Sequence, residues 1–64
     1  DKALEEFENA IALEPSDPES YYEAGIILLA QKNTTKAVMY FEKYLYLGGE
    51  RGDEVQKLLK KIKS

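Results

Sequence analysis

Two clusters of ionisable side chains are the places where this chain could do chemistry: the carboxylates Glu5, Glu6 and Glu8, and the lysines Lys57, Lys60, Lys61 and Lys63. Carboxylates bind calcium when a loop of alternating acids, turned by a glycine, converges their oxygens on one point. Glu5, Glu6 and Glu8 instead fall in a helical pattern and point in different directions, so they read as a solvated face. The lysine run lacks interleaved aromatic residues and lies in a chain of net charge −3, which argues against nucleic acid as partner. The sequence has no cysteine and no histidine, which removes the usual zinc ligands, thiol nucleophiles and imidazole bases. Gly48-Gly49 ends a helical pattern rather than opening one after a strand, so it is no phosphate loop. No nucleophile stands beside a base. The expectation is a protein without catalysis, cofactor or metal, whose chemistry is recognition.

Recognition needs elements to carry it, and the punctuation of the chain divides it into four helices. The first is expected from Asp1 to Glu14, with Ala3, Leu4, Phe7, Ala10 and Ile11 recurring at helical spacing. Pro15 ends it, Asp17 is placed to cap the next helix, and Pro18 suits a first helical position. The second helix, Pro18 to Gln31, has the core stripe Tyr21, Ala24, Gly25 and Leu28. Asn33 is assigned the left-handed turn residue, and Thr34 or Thr35 the following cap. The third helix, Thr35 to Leu47, faces inward with Ala37, Val38, Phe41, Tyr44 and Leu45, and Gly48-Gly49 stops it. A fourth carries Val55, Leu58, Leu59 and Ile62; it opens either at Asp53, with Gln56 completing a capping box, or earlier near Glu50. Short connections make the neighbours antiparallel, which gives an all-α fold of stacked helical hairpins.

Charge is divided along the chain. Residues 1–23 hold eight acids against Lys2 alone, whereas residues 24–64 hold eight bases against four acids. Solvated helix faces account for this, and steering between neighbouring molecules is the alternative. The longest apolar run, Ala24 to Ala30, is far below the roughly 20 residues of a membrane span. The chain opens mid-pattern without a leader-like segment and reads as a piece of a longer array. These residues carry no address; absence of a span leans toward the cytoplasm.

The segment 2–15 is echoed by 36–49 at a constant offset of 34 residues: Lys2-Ala3 returns as Lys36-Ala37, Phe7-Glu8 as Phe41-Glu42, Ile11 as Leu45 and Leu13 as Leu47. A fixed period of this length marks a stacked helical array. With Tyr21, Ala24-Gly25, Leu28, Ala37 and Phe41 in their places, the stretch from Pro18 to Arg51 resembles one whole tetratricopeptide repeat. Residues 1–17 look like the second half of a preceding repeat through Ala3, Phe7, Ala10 and Pro15. Residues 52–64 look like a capping helix. The resemblance implies a right-handed superhelical fragment, a single domain over residues 1–64, and a scaffold that binds protein or peptide. Three positions depart from the family pattern: Tyr44 stands for alanine, Gly49 for proline, and Leu59 for glycine. A bulky Tyr44 and the lack of a small residue at Leu59 imply looser or differently angled packing of the fourth helix.

A second apolar set, Tyr22, Ile26 and Leu29, is displaced from the core stripe of the second helix by roughly 100° of rotation. The resemblance assigns these positions to a concave groove, flanked by Glu19 and Ala30, with Asp53, Gln56, Lys57, Lys60 and Lys63 along one wall. Such a groove suits an extended or helical segment with apolar anchors and acidic groups; alternatively the three residues simply pack on neighbouring helices. The carboxylate clamp known in the family needs lysine and asparagine where this chain has Tyr22 and Ile26, so that activity is not expected. The other reading is structural: the first helix leaves Leu4, Phe7, Ile11 and Leu13 partly uncovered, which invites a homo-oligomer. Tyr21, Tyr40 and Tyr44 are expected at the core edge, Met39 and Tyr46 outside it.

Overall fold

Two prolines, an asparagine and a glycine set the three junctions of a computed structural model that describes residues 2–63. Its helices are α1 (Lys2–Leu13), α2 (Pro18–Ala30), α3 (Thr34–Leu47) and α4 (Gly52–Lys63). The expected start at Asp1, and Ser64 at the other end, lie outside the described residues. Each helix packs against the next in sequence, so the chain folds as a meander of helical hairpins. Its Cα atoms span 32 × 25 × 13 Å, a slab only 13 Å through at its thinnest.

The junctions follow from side-chain and backbone chemistry. After α1 the Glu14 amide still donates to the Ala10 carbonyl at 2.8 Å, but Pro15 brings no amide of its own, and the helix closes at Leu13. The Asp17 carboxylate accepts from the Glu19 amide at 3.2 Å and the Ser20 hydroxyl at 3.3 Å, which caps α2 with Pro18 in its first turn. At the next junction the left-handed residue is Lys32, φ +63°, not Asn33. Asn33 instead caps α3: its amide donates back to the Leu28 carbonyl, and its side-chain oxygen accepts from the Lys36 amide. Helix α2 accordingly ends at Ala30, one residue short of expectation, and α3 starts at Thr34, one residue early. Gly48 takes φ +76° and closes α3 as expected. Helix α4 opens at Gly52, between the two anticipated starts, so Asp53 lies inside its first turn rather than ahead of it.

The core runs through the middle of the slab: Tyr21, Ala24, Leu28, Ala37, Phe41, Tyr44, Val55 and Leu59 are buried. Its tightest contact joins α2 to α3. A β-carbon on Gly25 would lie 2.7 Å from Cε1 of Phe41, closer than carbon atoms pack, so the aromatic ring occupies the space glycine leaves. The same arrangement recurs at the last junction. Tyr44 is wholly buried, and a β-carbon on Gly49 would overlap its ring. The Tyr44 hydroxyl accepts from the Arg51 amide at 2.6 Å. The two departures Tyr44 and Gly49 therefore fit one another, and the junction is closed rather than loose: Val55 is fully buried and Leu59 is 8% exposed.

Helix α1 differs from its echo α3. Ala37, Phe41 and Tyr44 are buried in α3, whereas the matching Ala3 is exposed and Phe7 and Ala10 are only half-buried. Phe7 was expected to be partly uncovered, and it is. The residues by which α1 packs on the core are Leu4 and Ile11, and Glu8 reaches across to α3, accepting from the Tyr40 hydroxyl at 3.0 Å and pairing with Lys36 at 3.7 Å.

Candidate partner-binding surface

Helix α2 is apolar on most of its circumference and touches three neighbours. Tyr21 and Gly25 face Tyr40 and Phe41 of α3, while Ser20, Ala24 and Leu28 are buried beside them. That leaves the flank of Tyr22, Ile26 and Leu29, all half-buried and leaning on the core. Tyr22 is the most committed of the three. Its ring lies 6.3 Å from that of Phe41 and 5.7 Å from that of Tyr44, both tilted, and its hydroxyl donates to the Glu54 carboxylate on α4. The Arg51 guanidinium sits 4.9 Å over the Tyr22 ring and pairs with Glu19 at 3.6 Å. Tyr22 is thus held from three sides, while Ile26 and Leu29 keep part of their surface open.

Electrostatics around Tyr22 follow from these contacts. The hydrogen bond to Glu54, then partial burial, raise the phenol above its ordinary value; Arg51 opposes the shift. Glu19 raises the Arg51 guanidinium in turn. Tyr22 is consequently neutral and a donor at physiological pH, and it presents an amphipathic ring rather than a charge. Neither Arg51 nor Glu54 stood out in the sequence. Arg51 lies in a junction without periodicity, and Glu54 shows its role only once α4 is placed; the 34-residue register gave no signal, since it matches Glu54 to Ser20 rather than to Tyr22.

The anticipated wall residues of α4 divide by angle. Glu54 marks the edge of α4 that meets α2. Lys57 is displaced from it by about 60° around the helix, Lys60 by about 120°, and Gln56 by about 160°, nearly the far side. All three are exposed, as is Asp53. Asp53, Gln56, Lys57 and Lys60 line one shallow depression and Gln56, Leu59, Lys60 and Lys63 another beside it. Lys63 also bonds Glu42 of α3 at 2.9 Å. The structure therefore joins Glu19 and Tyr22 to α4 through Arg51 and Glu54, puts Lys57 on the neighbouring edge, and turns Gln56 away. Ala30 is exposed at the end of α2. Among the described residues no group of three acidic side chains is placed to hold a metal ion, and no helix is long and apolar enough to cross a membrane.

A family model described as TPR repeat matches residues 1–32, half of the chain, from α1 through the end of α2. No curated protein and no solved structure matches the chain.

Proposed function

Since the chain belongs to the tetratricopeptide repeat family, whose repeats mediate protein–protein interaction, we propose that it is a scaffold unit holding a segment of a partner protein along the open flank of α2. The observation that carries this reading is the half-open apolar surface of Ile26 and Leu29 beside the Tyr22 contacts. Those two side chains form an apolar floor one turn apart, and Lys57 and Lys60 stand exposed on the neighbouring helix. The segment that suits them has apolar anchors one helical turn apart and acidic groups beside them. Tyr22 and Glu19 close one end of the floor, and their links to Arg51 and Glu54 hold it rigid. The three-unit division expected from the sequence (1–17, 18–51 and 52–64) fits this reading, with 18–51 supplying the floor and 52–64 the wall.

The test is a titration of the isotopically labelled chain with amphipathic acidic peptides, followed by amide and methyl chemical shifts. Perturbations should gather at Ile26, Leu29, Lys57 and Lys60. The double substitution Lys57→Glu/Lys60→Glu, on exposed positions, should weaken binding about tenfold or more while leaving the helical content unchanged. Shifts gathering on α1 or on the outer face of α3 would overturn the assignment. Tyr22→Ala with Leu29→Ala is the harsher probe: unchanged binding would exclude this flank altogether.

A further inference from the structure

Arg51 sits at the junction of α3 and α4 with its main chain pinned on both sides. Its amide donates to the Tyr44 hydroxyl at 2.6 Å, and its carbonyl accepts from the Val55 amide at 2.9 Å. The side chain therefore leaves a fixed root. Its guanidinium lies 4.9 Å over the Tyr22 ring, and Tyr22 is itself tied to α4 by its hydroxyl bond to Glu54. A planar cation resting on an aromatic face is held without help from a carboxylate. The carboxylate beside it adds little. Glu19 reaches only Nε, at 3.6 Å, with both side chains about half exposed; that distance is beyond a hydrogen bond, and an ion pair so open to water is weak. Glu19, Tyr22, Ile26 and Leu29 follow one another along one flank of α2, within about 80° of rotation, and Glu19 precedes Ile26 by seven residues. Its place therefore lies about 10 Å along the helix axis from the nearer apolar anchor.

We propose that Arg51 reads an acidic side chain of the bound segment, and that Glu19 holds that place in the free chain as an internal competitor. The inference rests on the reading of the α2 flank given above and adds to it the residue that discriminates between segments. Exchanging Glu19 for an incoming carboxylate swaps one negative charge for another, so the balance around Arg51 and Glu54 is unchanged. Glu19 turns to water, where it already keeps half its surface. The Tyr22 ring stays beneath the guanidinium throughout, so Arg51 needs no reordering to accept the new group. Its fork can then take a carboxylate through two parallel bonds in place of one loose contact. A segment gains this bond only when its acid lies about 10 Å from its apolar anchors, which is about seven residues in a helix and about three in an extended chain. Any other segment leaves Glu19 in place and binds through its anchors alone. Glu19 thus sets a threshold that weakens every acidic ligand and rejects those whose acid is misplaced.

The probes are synthetic helical peptides with two leucines one turn apart and one glutamate about seven residues before the first or after the second, each paired with a glutamine counterpart. Affinity is read from amide and methyl shift titrations. The parent chain should prefer one glutamate peptide to its counterpart by about threefold or more. Glu19→Gln should strengthen binding of that peptide about three- to fivefold and leave the glutamine peptide unchanged. Arg51→Gln should erase the preference, and in that background Glu19→Gln should gain nothing. Both substitutions change exposed side chains, and the main-chain bonds of Arg51 do not involve its guanidinium, so circular dichroism should show the same helical content. A gain from Glu19→Gln that persists without Arg51 is a general charge effect and overturns the proposal. So does a Glu19→Gln chain that binds the glutamate peptide no better than the parent. If the glutamine peptides still shift Ile26 and Leu29 in that case, the competitor alone falls and the flank reading stands. If no peptide shifts those signals, the flank reading fails and this inference falls with it.

Discussion

Tyr44 and Gly49 are one structural unit written in two positions. The Tyr44 ring fills the space that a β-carbon at Gly49 would need, and its hydroxyl satisfies the Arg51 amide. Gly49→Ala should destabilise the chain by about 1–3 kcal/mol through overpacking, and Tyr44→Phe by about 0.5–1.5 kcal/mol through the lost hydrogen bond. The clash disappears when the ring does. A double-mutant cycle with Tyr44→Ala and Gly49→Ala, measured by urea unfolding, should therefore show the pair less destabilised than the sum of its parts. The other tyrosines make a prediction about alkali. Burial and then the bond to Glu8 raise Tyr40; the bond to Glu54 and then burial raise Tyr22. A phenol whose folded-state value lies above that of the unfolded chain contributes stability in full below about pH 10. That contribution is lost as pH climbs through the folded-state value, where a phenolate would face a carboxylate. Thermal midpoints should fall above about pH 10, and the fall should be shallower in Tyr40→Phe and Tyr22→Phe, followed by circular dichroism.

At the scale of the helix, the least comfortable residue is Lys32, the one non-glycine residue among those described with a positive φ. The left-handed conformation places a β-carbon too near the next carbonyl, which glycine avoids. Lys32→Gly should raise stability by about 0.5–1 kcal/mol in chemical denaturation, a gain unusual for a glycine next to a helix. This junction also shows how far the sequence could be read. Pro15, Asp17, Pro18 and Gly48 carry their conformations in their own covalent chemistry, and each does what its type dictates. Lys32 and Asn33 do not. Asparagine serves either as a left-handed residue or as a cap, and which role it takes depends on where α2 runs out. The candidate surface was legible to a similar degree. Periodicity separated Tyr22, Ile26 and Leu29 from the core stripe, yet it could not show that Arg51 and Glu54 would engage Tyr22, because those contacts depend on the angle of α4. The partial exposure of Phe7 was legible: its echo with Phe41 is exact in type, but the helix that covers Phe41 has no counterpart over Phe7 among the described residues.

For the whole molecule, burial is greatest in the middle of the slab and falls toward both ends. Helices α2 and α3 hold most of the buried side chains, α4 holds Val55 and Leu59, and α1 holds none. Local opening follows buried contact, so native-state hydrogen exchange should release the α1 amides first and those around Leu28 and Phe41 last. Equal protection in α1 and α3 would mean that something covers the Phe7 strip in solution. The thinness of the slab, 13 Å across its short dimension, has a thermodynamic corollary. A hairpin added at either end lengthens such a body without deepening it, so every added hairpin removes about the same surface from water. Denaturant sensitivity and the heat capacity of unfolding both scale with the surface exposed. In proteins built by extending this unit, both quantities should grow in proportion to length, with none of the gain in interior depth that a sphere acquires as it enlarges.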